Sequence, residues 1–140
     1  MEIKASQSNN TMPLKLRGMV ITGTGEAGRI TELPWVKQQF REKLGINPYP
    51  GTFNITVLAG DRDKIGTIRQ AKSVNTISRD SEHCQGVSLH VLVGGKIKGA
   101  LVIPLIPHYP PDCLEITASE NIRHALGVKD GDTIELEVYL

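Results

Sequence analysis

The sequence predicts a mainly β protein, a small closed or nearly closed barrel carrying two short helices. Three observations point there. Six or seven stretches read as strands against two that read as helices, no strand–helix unit repeats, and 14 glycines with 8 prolines supply many turns. Short strands punctuated by turn residues favour a barrel over a helix bundle or a doubly wound sheet.

Taken in chain order, residues 1–13 are polar and expected to be disordered, leaving 14–140 as one barrel domain. "LKLRGMVIT" (14–22) alternates as a strand and runs into the glycine loop "GTGEAGR". "LPWVKQQFREKLG" (33–45) reads as a helix, with Pro34 in its first turn, Val36, Phe40 and Leu44 along one face, and Gly45 at its end. The corner "PYPGTFN" (48–54) feeds the strand "FNITVL", with Phe53, Ile55 and Val57 on one face and Asn54 and Thr56 on the other. Residues 59–83 have weak periodicity and read as a short strand plus loop. "QGVSLHVLV" and "KIKGALVIPLI", joined by Gly94-Gly95, form the clearest hairpin. "CLEITA" (113–118) is a strand, and "SENIRHALG" (119–127) a short helix with Ser119 as its cap and Gly127 as its stop. "VKDGDTIELEVYL" is a turn and a final strand.

Composition narrows the function. With 140 residues, 39% hydrophobic and 22% charged, the chain has the make-up of an ordinary globular domain. A formal charge of +1 and an aromatic content of 4% offer neither the field nor the stacking platforms that nucleic acid would need. No apolar run is long enough to span a bilayer and none resembles a signal peptide, so a cytoplasmic location without membrane contact is expected, as is a monomer. Cys84 and Cys113 lack ligand spacing and are read as free thiols, and His83, His90, His108 and His124 share no ligand spacing either.

Three stretches can carry chemistry. Gly23, Gly25 and Gly28 fit G-x-G-x-x-G, yet no helix is expected before Pro34 and no parallel sheet follows, which argues against a dinucleotide fold. Such glycines let backbone N–H groups approach an anion, and they equally serve a tight turn at positive φ. In the corner, Pro48 and Pro50 stiffen the chain before Thr52 and Asn54, two neutral oxygens on one strand face. Those are hard ligands that suit Mg²⁺ when a substrate phosphate supplies the charge; they equally suit turn capping. Glu115 lies in a strand beside Leu114 and Ile116, facing either solvent or a cavity, and Arg123 near the last helix can reach a phosphate. No general base is evident, Glu26 and Glu115 being the only motif carboxylates.

Taken together and in order, "GTGEAG", "F…LG…PYPGTFN", "GALVIP" and "Y…LEI…IRHALGVKDGD" resemble the archaeal-type CTP-dependent riboflavin kinases over residues 16–140. The resemblance implies a six-stranded cradle-loop barrel and transfer of the γ-phosphate of CTP to the 5′-hydroxyl of riboflavin, giving FMN and CDP. It implies Mg²⁺ on Thr52 and Asn54, and nucleotide binding by Gly23, Thr24, Gly25, Glu26, Ala27 and Gly28 and by Glu120, Asn121, Ile122 and Arg123. It implies flavin binding by Glu115 and by the position of Pro107. The chain departs from the family pattern at Ala27, where a glycine is usual, at Pro107, where a threonine contacts the flavin, and at Leu105-Ile106, usually a charged pair. These departures lie on the acceptor side, so a different acceptor alcohol, or a barrel that binds flavin or nucleotide without catalysis, are the alternative readings.

Overall fold

The computed structural model describes residues 13–23, 26–71, 75–78, 84–104 and 109–140. The expected N-terminal segment falls almost wholly outside the described residues, as do Thr24, Gly25, Leu105, Ile106 and Pro107.

Seven strands are seen among them: β1 (Leu14–Ile21), β2 (Phe53–Val57), β3 (Asn75–Ser78), β4 (Cys84–Val93), β5 (Ile97–Pro104), β6 (Cys113–Thr117) and β7 (Thr133–Val138). All pair antiparallel. Six of them close a ring in the order β4-β5-β6-β2-β1-β7, and β7 returns to β4 through Val91↔Val138, Leu92↔Glu137 and Val93↔Leu136. Only the last part of β4 takes β7, and its first part pairs β3 instead. Closure leaves the six ring strands without an open edge. The barrel expected from the sequence is therefore present.

Strand alternation decides what fills it. Leu16, Val20, Ile55, Leu101, Ile116 and Leu136 are each at most 1% exposed and belong to one continuous interior cluster. The β4–β5 hairpin turns at Gly94 and Gly95, both at positive φ, where L side chains are strained.

The helical content exceeds the expected two elements. They are α1 (Glu26–Thr31), α2 (Pro34–Gln39) running into a π-helical turn (Phe40–Leu44), a 3-10 turn (Ala59–Asp61), α3 (Lys64–Arg69) and α4 (Ile122–Leu126). The α2 segment follows the sequence reading, starting on Pro34 and stopping at Gly45 with φ 69°. It lays Val36 and Phe40 onto Ala100 and Val102, so a second apolar cluster coats the outside of β5.

Three local expectations are corrected. The glycine stretch does not stay a loop to Pro34, because α1 opens at Glu26; the antiparallel sheet still rules out a dinucleotide fold. The segment 59–83 holds the expected short strand as β3, but also α3, whose Ile65 and Ile68, three apart, join the core cluster; six helical residues are too few to reveal a period. The last helix is capped by Asn121, whose Oδ1 accepts from His124 N at 3.0 Å, while Ser119 Oγ accepts from Asn47 N at 3.0 Å.

Candidate functional site

The corner after α2 is pinned from both sides. Asn47 N donates to Ser119 Oγ, and Tyr49 N donates to the Ala118 carbonyl at 2.8 Å, so residues 47–49 are tied to the end of β6. Pro48 is buried, and Gly51 bends the chain at φ 85° into β2. Phe53, Ile55 and Val57 then point into the barrel, which turns Asn54 to the outer face, where it is 9% exposed.

Register brings the site residues together. Asn54 stands opposite Glu115 on β6 and opposite Ile21 on β1. Glu115 is 1% exposed, which settles its facing: it points under cover, not to solvent. Its Oε1 accepts from the Thr52 hydroxyl at 2.6 Å and its Oε2 from the Tyr109 hydroxyl at 2.6 Å. Because Thr52 spends its only proton on Glu115, its remaining lone pairs can only accept. Asn54 Nδ2 donates to the Thr52 carbonyl at 2.9 Å and lies 3.5 Å from Thr52 Oγ1. Gly23 completes the arrangement, since a Cβ built there would lie 2.0 Å from Asn54 Oδ1.

Three adjoining cavities surround this pair. The largest, about 550 Å³, is lined by Gly23, Gly28, Thr52, Asn54 and Arg123 together with Arg29 and Glu32. A second of about 180 Å³ shares Ile21, Thr22, Gly23 and Asn54 with the first and ends on Tyr109, Cys113 and Glu115. A third of about 130 Å³ runs from Tyr49–Phe53 to Glu120–Arg123. Asn54, with Ile21, Thr22 and Gly23, thus stands between a wide space with two guanidinium groups and a narrow one with a buried carboxylate, while Thr52 faces the wide space and hydrogen-bonds the carboxylate of the narrow one.

Several predicted residues are found here in less direct form. Ile122 is 4% exposed and packs in the barrel core, so only its backbone is available to a ligand. The Asn121 side chain is spent on its helix cap. Arg123 lines the wide cavity, but its Nη2 donates to the Ile21 carbonyl at 2.9 Å and to Asp130 Oδ1 at 2.5 Å. Asp130 also accepts from Thr22 Oγ1 at 2.8 Å, and the Arg123 hydrogen bond, followed by the Thr22 one, holds its carboxyl below the usual value. That brace fixes where Arg123 can point. Glu26 and Ala27 lie in α1 by backbone, whereas Thr24, Gly25 and Pro107 lie outside the described residues.

Sequence reasoning gave no role to Tyr109, Thr22, Asp130, Arg29 and Glu32, although Tyr109, Asp130 and Arg29 stand inside the quoted motifs. Tyr109 is six residues before Glu115, and nothing in that spacing says the chain folds back to hydrogen-bond it. Cys113 is a free thiol on the same cavity, and burial pushes its pKa up.

The residues present suit a small hard cation. They offer two neutral oxygen-bearing side chains at one place, one of them a hydroxyl locked as an acceptor, beside a space with room for phosphates. No group of three or more His, Cys, Asp or Glu side chains gathers among the described residues. No helix among them is long and apolar enough to cross a membrane.

Comparison with known proteins shows the family. The family profile CTP-dep_RFKase, described as "Domain of unknown function DUF120", matches residues 20–138. The riboflavin kinase of Methanothermobacter thermautotrophicus is 36% identical over 117 residues, covering 84% of this chain and 93% of that protein. That of Ignicoccus hospitalis is 33% identical over 130 residues, 91% of this chain and 72% of that protein. That of Archaeoglobus fulgidus is 35% identical over 130 residues and 91% of this chain, which spans 55% of that protein's length.

Proposed function

The chain belongs to the CTP-dependent riboflavin kinase family, and on that premise we propose that it transfers the γ-phosphate of CTP to the 5′-hydroxyl of riboflavin, yielding FMN and CDP. The observation that carries the reading is that Thr52 and Asn54 both line the wide cavity, while Asn54 also lines the narrow one and Thr52 is hydrogen-bonded to that cavity's buried Glu115.

In this reading the nucleotide's phosphates occupy the wide cavity. Gly23 and Gly28 line it, and Arg29 and Arg123 supply positive charge. Phosphoryl transfer depends on positioning and charge neutralisation more than on covalent chemistry, so a site of this composition is adequate. Thr52 Oγ1 and Asn54 Oδ1 would hold Mg²⁺, which supplies charge neutralisation on the terminal phosphates. In this reading the acceptor takes the narrow side, where Glu115 would accept hydrogen bonds from it and Asn54 is shared with the phosphate side. Glu115 itself keeps Thr52 in the acceptor orientation. Cys113 and Tyr109 complete the acceptor side, and CTP and riboflavin are the small-molecule partners.

The test is a nucleotide panel. CTP, ATP, GTP and UTP are each incubated with riboflavin and Mg²⁺, and FMN is read by chromatography. FMN from CTP in clear excess over the other three supports the assignment. Phosphorylation of a different alcohol, or tight flavin binding with no transfer from any nucleotide, would replace it with one of the alternatives drawn from Ala27 and Pro107.

A further inference from the structure

We propose that Asp130 is a positioning residue for nucleotide binding: its carboxylate joins the start of the glycine stretch to Arg123 and holds Arg123 in place before the nucleotide arrives. The inference deepens the proposed function and rests on it.

The two oxygens of the carboxylate go to different elements. Oδ2 accepts from the Thr22 hydroxyl at 2.8 Å, one residue past β1, and Oδ1 accepts from Arg123 Nη2 at 2.5 Å, in α4. Thr22 directly precedes Gly23 and lines the wide cavity, whereas Arg123 lines both the wide cavity and the one that runs from Tyr49–Phe53 to Glu120–Arg123. Asp130 itself is in the wall of none of the three cavities, so it reaches a ligand through Arg123. Its turn is tied to β1 by backbone: Gly131 N donates to the Val20 carbonyl at 2.9 Å, and Val20 N to the Asp132 carbonyl at 2.8 Å. Nη2 of Arg123 carries two protons, and the Ile21 carbonyl takes the second at 2.9 Å. Ligand contact by Arg123 is thereby left to Nη1 and Nε.

A free arginine loses rotamer freedom when it closes on a ligand. Two hydrogen bonds on Nη2 remove much of that freedom beforehand, so the ordering cost falls on folding and not on binding. Charge works in the other direction. A carboxylate beside an arginine that meets phosphates disfavours an anion, and taking it away would by Coulomb's law favour one. The pair is also too open to act by strength alone, its side chains being 38% and 56% exposed. Positioning and charge therefore predict opposite signs when the carboxylate is lost.

The experiment is isothermal titration calorimetry of the full chain with CTP and Mg²⁺, without riboflavin so that no transfer to it follows. Asp130→Ala is expected to weaken CTP by about two- to tenfold, the cost of ordering one long side chain on binding. Asp130→Asn keeps the shape: its amide oxygen accepts from Arg123 and its NH₂ donates to the Thr22 hydroxyl, so affinity stays at or above that of the wild type. In an Arg123→Ala background, Asp130→Ala is expected to change nothing further, because no guanidinium is left to position. A purely structural role weakens CTP equally in both backgrounds. Asp130→Ser, too short to hold Arg123 but able to hydrogen-bond within its own turn, takes the place of the alanine variant if that one does not fold. The proposal is overturned if Asp130→Ala binds CTP as tightly as the wild type or more tightly, if Asp130→Asn is as weak as Asp130→Ala, if Arg123→Ala binds like the wild type, or if both backgrounds show the same loss. Where Arg123→Ala binds too weakly to titrate, the Ala and Asn pair decides. A wild type that binds no CTP overturns the nucleotide reading of the site together with this one, whereas a wild type that binds CTP with any of the four results above overturns only the role of Asp130.

Discussion

Replacing Gly23 with alanine should disarm the site at a measurable cost in stability while leaving the barrel folded. The new Cβ would stand 2.0 Å from Asn54 Oδ1, 2.3 Å from its Cγ and 3.0 Å from its Cβ. No atom pair tolerates that approach, so the Asn54 side chain must rotate away or the end of β1 must shift. Rotation breaks the 2.9 Å hydrogen bond from Asn54 Nδ2 to the Thr52 carbonyl, a loss of about 1 kcal/mol. Forcing the side chain off its rotamer adds about 0.5–1.5 kcal/mol. The sum, about 1.5–2.5 kcal/mol, corresponds to roughly 3–10 °C in melting temperature at the usual slope for domains near this size. Barrel closure involves none of these atoms, so folding should survive. The cation site, by contrast, loses one of its two side chains, and Mn²⁺ affinity in the presence of CTP should fall by at least about tenfold, the equivalent of 1.4 kcal/mol. Thermal melts and Mn²⁺ titrations on the same preparation read both effects. Unchanged Mn²⁺ affinity would show that Asn54 is not where the cation sits; unchanged melting and affinity together would show that Gly23 does not approach Asn54 closely at all.

Other perturbations follow from the same geometry. Gly28→Ala is the contrast: its Cβ meets nothing nearer than 3.6 Å and it sits inside α1, so calorimetry should find stability unchanged or raised by about 0.5–1 kcal/mol. Phe40→Ala empties the cluster that fastens the α2 segment to β5, and denaturant unfolding should record a loss of about 3–5 kcal/mol. Gly99→Ala drives a Cβ to 2.7 Å from the Thr117 carbonyl oxygen, which backbone cannot easily relieve, and about 1–3 kcal/mol of destabilisation is expected in the same assay. Asp61 is held below its ordinary value of 3.8, first by the Arg17 backbone N–H and then by the Lys64 ammonium. A lowered carboxylate pKa stabilises the fold above the unfolded value and loses that contribution as pH falls through the folded one. The melting-temperature gap between wild type and Asp61→Asn should therefore be full at neutral pH and begin to close only below about 4.

The sequence made β2 legible because its alternation is strict: Phe53, Ile55 and Val57 enter the core and Asn54 leaves it, as the pattern requires. Gly94-Gly95 fixed the hairpin for a local reason too, two adjacent positive φ values. What failed was short or non-local. The α3 helix offers only Ile65 and Ile68 as a signature, and Ser119 looked like a cap because its hydroxyl is needed, but by Asn47, 72 residues away in sequence. The site showed the same division. Thr52, Asn54, Glu115, Gly23 and Arg123 were nameable from motifs, and the structure gathers them around adjoining cavities. Their relations were not readable: that Glu115 takes the Thr52 proton depends on β2–β6 register, and that Asp130 braces Arg123 depends on where the turn before β7 meets the end of β1.

The most direct measurement of the central claim is the Mg²⁺ dependence of FMN formation from CTP and riboflavin, compared between wild type and Asn54→Ala. The account predicts Mg²⁺-dependent turnover in the wild type, and in the variant a loss of most of that turnover together with a shift of half-saturation to much higher Mg²⁺. Equal rates and equal half-saturation in the two proteins would contradict it.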